Sequence, residues 1–538
     1  MAMRLRPWFR LLTVAAVAFG IASGADARAI KWARSGDALT LDPHAQNEGP
    51  THALVHQIYE PLIIRDYQGK AASTLAESWA ITSDPLVWEF KLRKGVAFHD
   101  GSPFTADDVI YSFNRARQPT SDMKSLLSAV DAMVKVDDHT LRIKTRGPNP
   151  IFPSNLNNLF IMSKAWVEKH GAVKVQDFKS KGDNFAVLNA NGTGPYVLVS
   201  REPGVKTLLK RNDSYWGKGQ VPLEITEITY LPIQADGPRI AALISGEVDF
   251  VQDVPVGEID KVGANPKLVV NVGPENRSIF LGLNVGGAEL KGSDVKGRNP
   301  LADKRVRQAI NMTVNRAAIQ KTTMRGQSLP TGTIVPPGVN GYSKDLDIIP
   351  PADPVKAKAL MTDAGYAEGF SITFDCPNDR YVNDEAICKA IAVQLATIGI
   401  KANVVAQTKA TYFPLIEHNP PETDLYLLGW GVPTFDSHYI LSFLYHSRTD
   451  KEGGWNATRY ANADMDKLID GLSQETDLNR RNQTIAAIWK VLQDEMIYVP
   501  IHIQTLAYAM KPDLEITVDI SNQPKMKFVK VKKPAPAQ

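Results

Sequence analysis

The 538-residue sequence holds only two cysteines, no surplus of charge, no apolar run long enough to span a bilayer, and none of the short motifs that mark common enzymes. Each shortage excludes something. A membrane helix needs roughly 20 consecutive apolar residues, and the longest such run, Leu11 to Ala22, is interrupted by Thr13 and Gly20. Lys and Arg number 61 against 58 Asp and Glu, so nucleic acid is not an expected partner. Near the end, Lys525, Lys527, Lys530, Lys532 and Lys533 alternate with Met526, Phe528 and Val531. This pattern reads as the solvent face of a last strand, not a phosphate-binding tail.

Catalytic signatures are equally scarce. Neither G-x-S-x-G nor H-E-x-x-H occurs. Ser121 and Ser293 each precede a lysine by three residues, Lys124 and Lys296, but the S-D-N and K-T-G companions of that motif are missing. His52 and His56 stand four apart on a helix expected to open at Thr51, a spacing that suits a metal. The intervening Ala-Leu-Val supplies no base, and no third ligand is evident. No catalytic residue, metal site or cofactor is expected.

What is present begins with an address. Arg4, Arg6 and Arg10, the apolar run and small residues after it form a secretory signal peptide over 1–29, with cleavage after Ala27 or Ala29. No cysteine follows the apolar run, so the product is not expected to be a lipoprotein; a periplasmic protein is. About 510 residues remain, roughly three domains' worth of chain. Strands and helices alternate without a repeat, which indicates a mixed α/β fold.

Local signals are clearest in two places. In residues 87–117, Trp88, Phe90 and Leu92 alternate with polar residues, His99-Asp100-Gly101 turns the chain, and Thr105 with Asp108 resembles a capping box opening a helix at Ala106. In residues 383–400, Ile387, Ile391, Leu395 and Ile398 form one helical face, Asn383 is placed to cap it and Gly399 to end it. Cys376 ends the preceding strand and Cys388 sits beside the helical stripe. An oxidising compartment allows them to form a disulfide; two buried thiols are the alternative. Pro-rich joints at 334–342, 348–354 and 418–424 read as ordered surface loops.

Seven blocks, in order, resemble the solute-binding proteins of peptide/nickel ABC importers, extracellular family 5. They are "LTLDPHAQNEGPTHALVHQIYEPL" (39–62), "LAESWAITSDPLVWEFKLRKGVAFHDGSPFTADDVIYSF" (75–113), "GTGPYVL" (192–198), "RNDSYWG" (211–217), "RIAALISGEVDF" (239–250), "LADKRVRQAINMTVNRAAI" (301–319) and "LYLLGWGVPTFDSHY" (425–439). The resemblance implies a two-lobed, type II periplasmic-binding-protein-like fold with an inserted subdomain. Lobe I would comprise 30–62, 190–282 and 504–538, the insert 63–189, and lobe II 283–503, with crossings near 281–286 and 498–504.

It also implies a function: capture of a peptide or peptide-like solute between the lobes and delivery to the membrane permease, as a monomer and without chemistry. Opines, sugar compounds and metal chelates are the rival ligands, and a secreted hydrolase is the rival class. Three places would line the cleft. Asn47, Glu48 and Gly49 precede a helix, Arg380 and Tyr381 resemble the pair that holds a substrate carboxylate, and Trp430 and Gly431 end a strand. Peptide receptors carry an acid three residues after the tryptophan; Pro433 stands there, and Asp436 is the nearest acid. The clamp for a peptide ammonium is therefore missing or displaced. Tyr215, Trp216 and Tyr412 read as structural.

Overall fold

The computed structural model describes residues 28–67, 69–177, 182–378, 380–449 and 452–532. Residues 1–27 of the expected leader lie outside them. Among the described residues, eleven strands form one mixed sheet, and buried apolar clusters divide the chain into three bodies. One cluster draws only on residues 62–161, beneath a four-stranded antiparallel sheet of Ala76–Ile81, Val87–Leu92, Thr140–Thr145 and Val130–Asp137. This is the inserted subdomain. Two clusters draw on 30–59, 160–268 and 506–529, and two on 279–501 with Val256 and Ile520 added.

The insert's own core is smaller than the expected span 63–189, because Phe160, Met162, Trp166, Val167 and Ala186 pack into the core of lobe I. Its local structure follows the sequence closely. Trp88, Phe90 and Leu92 are the buried face of Val87–Leu92. The helix Ala106–Ala116 opens with the Asp108 carboxylate accepting from the Thr105 amide at 2.9 Å. Gly101 takes a positive φ of 85° in the turn between them, a conformation other residues adopt at a cost.

Two long strands join the lobes. Val269–Leu283 and Tyr498–Met510 run antiparallel along their lengths, Val269–Pro274 against Met510–Thr505 and Ser278–Gly282 against Ile503–Tyr498. The register shifts between Pro274 and Ser278. Beyond the shift the first strand takes Leu425–Gly431 as its other neighbour, and its buried residues join the cores of lobe II. The changeover thus falls a few residues before 281–286, where proline cannot donate to the ladder and the pairing is interrupted.

In lobe II, Phe370–Pro377 lies between Ile400–Gln407 and Leu425–Gly431, parallel to both. Helix Asp384–Ala396 makes the crossover, with Ile387, Ile391 and Leu395 buried. "LYLLGW" is buried throughout because this strand is covered on both faces. A disulfide joins Cys376 to Cys388, Cα atoms 6.5 Å apart.

Four local expectations are corrected. Asn383 has φ 56° and no capping bond; its amide donates to the Thr323 carbonyl at 2.9 Å. Helix Gly49–Ile58 is capped by Glu48, whose carboxylate accepts from the Thr51 amide at 2.7 Å, so Thr51 lies inside the first turn. Lys525 and Lys527 are buried, paired with Asp519 at 2.8 Å and Glu60 at 3.1 Å, because a short 3-10 turn at Met526–Phe528 replaces the expected strand. The joint at 334–342 is partly core, with Ile334, Val335 and Val339 buried.

Candidate functional site

A cleft opens where the crossing strands change partners, in two arms of about 600 and 790 Å³. Glu48, Gly49, Glu275, Arg277, Arg380 and Tyr381 line both arms. Lobe I contributes Asn47–Gly49 at the start of its capped helix, and lobe II contributes Arg380, Tyr381, Trp430 and Gly431. Seven of the eight expected ligand residues therefore meet at one cavity. Asn47 is exposed, and the Glu48 carboxylate bonds Thr51 through both the amide and the hydroxyl.

Asp436 is the exception. Its carboxylate forms two hydrogen bonds with the Arg481 guanidinium, at 2.6 and 2.7 Å, and accepts from Asn340 at 2.9 Å and from the His438 amide at 2.9 Å. Burial pushes this carboxyl up, but Arg481 outweighs burial and holds it below the ordinary range. The side chain is consumed by packing and takes no part in the cleft.

The loop before helix Asp384–Ala396 is held by a carboxylate turned back from the first turn. Asp384 accepts from the amides of Arg380 and Tyr381 at 3.0 and 2.9 Å. Tyr381 donates to the Gly429 carbonyl at 3.0 Å, and a β-carbon on Gly429 would meet the tyrosine ring. A glycine one residue before Trp430 is thus what lets the ring lie against the strand. The Arg380 guanidinium stacks on Tyr381 at 4.9 Å from the ring centre. Burial and the neighbouring charge of Arg277 lower its pKa, and among the described residues no acidic side chain forms an ion pair with it.

Arg277, which sequence reasoning did not single out, lies 6.0 Å from the same ring. It bonds Glu275 at 3.2 Å and the Gly429 carbonyl at 3.3 Å. Gln504, on the other crossing strand, donates to Glu275 at 2.6 Å and accepts from the Val382 amide at 3.1 Å. The crossing strands thus bind directly to the Arg380 loop. A run of charged residues, Glu275 and Arg277, inside a strand otherwise bound for two cores was the available signal.

Aromatic rings form the wall of the smaller arm. Trp430 packs 5.5 Å from Trp455 and 5.7 Å from Tyr439, and Phe413 lies 5.4 Å from Trp455. Trp430 therefore belongs both to a core cluster and to the cavity wall. Such a cleft, with aromatic walls, a few fixed polar groups and a cation that forms no ion pair with an acid among the described residues, is suited to binding.

Ser121 and the two lysines considered for chemistry are occupied elsewhere. Ser121 donates to the His44 carbonyl at 2.8 Å, and the Lys124 and Lys296 ammonium groups donate to the Pro119 and Ser293 carbonyls. His52 and His56 are buried, and no group of three metal-ligating side chains occurs among the described residues. Tyr215 and Trp216 donate to Glu60, and Tyr412 to the Leu427 carbonyl. No helix among the described residues is long and apolar enough to cross a membrane.

Comparison with known proteins agrees with this geometry. Residues 70–452 match the family described as bacterial extracellular solute-binding proteins, family 5. The glutathione-binding protein GsiB of Escherichia coli K12 is 26% identical over 482 residues, 88% of this chain and 89% of that protein. A dipeptide-binding protein from Pseudoalteromonas sp. SM9913 in complex with Met-Leu superposes with a TM-score of 0.73 at 23% identity, covering 94% of this chain and 100% of its own. AgaA from A. tumefaciens R10 in complex with agropinic acid gives 0.72 at 23%, covering 94% and 99%. The fold is that of the type II periplasmic binding proteins. Members of the family are periplasmic. The chain belongs to the bacterial extracellular solute-binding proteins of family 5, and it is a solute-binding component of an ABC importer, not an enzyme.

Proposed function

We propose that the chain captures a small carboxylate-bearing solute, a peptide or peptide-like compound, closes on it, and presents the closed form to its permease. One observation carries the reading: the Arg380 guanidinium lines the cleft, is stacked on Tyr381, and has no acidic partner among the described residues. A guanidinium fork binds both oxygens of a carboxylate. A partly desolvated cation without an acid is stabilised by one arriving with the ligand. Arg277, 6.0 Å from the same ring, is by contrast paired with Glu275.

The two relatives named for glutathione and bound to Met-Leu support a peptide. Pro433, where an acid would hold the peptide ammonium, supports a second reading, an opine-like acid such as the ligand bound in AgaA.

Lobes of about 30–62, 190–282 and 504–538 on one side and 283–503 on the other would hinge at the crossing strands. Ligand contacts made by both lobes favour the closed state alone. The protein would act as a monomer with no nucleic-acid partner. A leader cut after Ala27 keeps Arg28 and its ion pairs with Asp249 and Asp513, both at 2.9 Å.

The test is calorimetry on Arg380→Ala with the solute identified by mass spectrometry of the purified protein. Affinity should fall more than tenfold, about 1.4 kcal/mol, with the unliganded melting temperature unchanged. Equal affinity would remove Arg380 from the site.

A further inference from the structure

The smaller arm of the cleft is lined by polar side chains that the protein leaves unsatisfied. Asn157, Asn276 and Gln523 each carry a buried carbonyl oxygen with no hydrogen-bond partner, and His52 a buried Nε2 with none. Their exposures are 8%, 6%, 6% and 3%. The orientation of two of these amides is set by what their nitrogens do. Asn276 Nδ2 donates to the Val432 carbonyl at 2.6 Å. Asn157 Nδ2 donates to Asn158 Oδ1 at 3.3 Å, and that oxygen also meets His56 Nε2 at 3.0 Å. Both leave their carbonyl oxygens over as acceptors.

Buried polar groups are normally paired, and each exception is costly. Five exceptions around one cavity, the fifth being the Trp430 indole Nε1, are contributed by chain segments far apart in sequence and need a common explanation. All five are uncharged: three are amides, one is an indole, and burial pushes the His52 imidazole down to about 4, so it is neutral at neutral pH.

Acids are present in the same arm but differently placed. Glu48 is engaged with Thr51, Glu275 is held by Arg277 at 3.2 Å and Gln504 at 2.6 Å, and Glu417 is exposed. The position three residues beyond Trp430 is Pro433. A neutral set of acceptors with one indole N–H donor matches hydroxyls, which both donate and accept, and amide groups. It matches an ammonium poorly, because a buried charge needs a counter-charge.

Taking as given that Arg380 holds the ligand carboxylate, we infer that this arm is a subsite for uncharged hydrogen-bond donors, and that the solute is an acid whose far end is a polyol or an acylated amine, not a free α-amine. The ligand supplies the donors that Asn157, Asn276, Gln523 and His52 lack. Specificity between free and blocked amines is decided in this arm, whereas the carboxylate is held at Arg380.

Titration calorimetry of the mature chain with three probes tests this: dialanine, N-acetyl-dialanine, and alanine N-acylated by gluconic acid. The gluconoyl conjugate should bind at least tenfold tighter than dialanine, and acetylation should not weaken dialanine. A tenfold preference for dialanine, or no binding of the gluconoyl conjugate, overturns the inference.

Asn157→Asp places a negative charge in the arm and should shift the preference toward dialanine by tenfold or more. Gln523→Glu is the second variant should the first not fold, as judged by its unliganded melting curve. An unchanged preference in a folded variant also overturns the subsite. Replacing the carboxylate of the gluconoyl conjugate by a carboxamide tests the Arg380 reading separately: unchanged affinity there would sink the carboxylate reading, while the comparison of the three amine forms still stands by itself.

Discussion

Asp436 and Arg380 stand on the same lobe, and the sequence marks both as ligand residues, yet the structure treats them in opposite ways. Asp436 is buried among partners, with Arg481, Asn340 and the His438 amide using its oxygens. Arg380 lines the cleft with an aromatic ring beneath it and no acid paired to it among the described residues. Several charges inside the lobes follow the first pattern: Asp42 with Arg115 at 2.6 Å, Lys525 with Asp519, Lys527 with Glu60; buried Arg65 and Arg316 are instead satisfied by carbonyl and amide oxygens. What sets Arg380 apart is its place: a half-buried cation on a cavity wall, with no acid paired to it among the described residues, can be completed by a ligand carboxylate.

The sharpest way to break the comparison is to unpair the paired member. Asp436→Ala leaves Arg481 buried without its counter-charge and should cost about 3–5 kcal/mol in denaturant unfolding. Ligand affinity of the folded fraction should stay as it was. A loss of affinity with intact stability would return Asp436 to the site. Arg380→Ala should show the reverse pattern.

Next comes the support of the Arg380 loop. The disulfide links residues 12 apart, across the end of one strand and the helix that follows the loop. The double change Cys376→Ser and Cys388→Ser should lower stability by about 3 kcal/mol by releasing a short closed loop in the unfolded chain. Midpoints of chemical unfolding, with and without reductant for the parent, measure it; no difference would mean that the bridge constrains nothing.

A smaller effect separates two buried carboxyls by pH. Burial pushes the Asp375 carboxyl up to about 6, with the Thr423 hydroxyl, at 2.8 Å, donating to it and Asp424 opposing its ionisation. Burial also pushes Asp42 up, but the Arg115 bonds outweigh it and hold that carboxyl at about 2.

The two signs are opposite. The folded state binds the Asp375 proton more tightly than the unfolded chain, so this contribution is complete below about pH 4 and is lost as pH rises through about 6. Asp42 contributes above about pH 4 and loses its effect as pH falls through about 2. A rise of about two units corresponds to at most ~3 kcal/mol. Asp375→Asn should therefore flatten the stability profile between pH 4 and 6 and leave its acid limb in place. A parent profile that does not fall over that interval would contradict the burial argument.

The patterns that were legible in the sequence are those set by neighbours along the chain. The alternation of Trp88, Phe90 and Leu92, the Thr105–Asp108 cap and the Ile387–Ile391–Leu395 stripe are all present as expected. So is the gathering of Asn47–Gly49, Arg380–Tyr381 and Trp430–Gly431, which ordered motifs with a family resemblance could place. Gln504 was missed because a single polar residue in a long strand has no period to betray it, and Arg277 although the polar stretch Glu275–Arg277 offered a signal. Only the shift in strand pairing at Pro274–Ser278 puts Arg277 into the cleft.

By itself, then, the sequence determined the strongly patterned helices and strands, their buried apolar faces, and the motifs that bring the chain into family 5. Those properties depend on backbone periodicity and on residues a few places apart. Tertiary structure alone decided the fate of each charge. Asp436 finds Arg481 across 45 residues and Lys527 finds Glu60 across 467, whereas Arg380 finds no acid to pair with among the described residues. Electrostatic pairing acts through space with no preferred separation along the chain, so no pattern in the sequence records it.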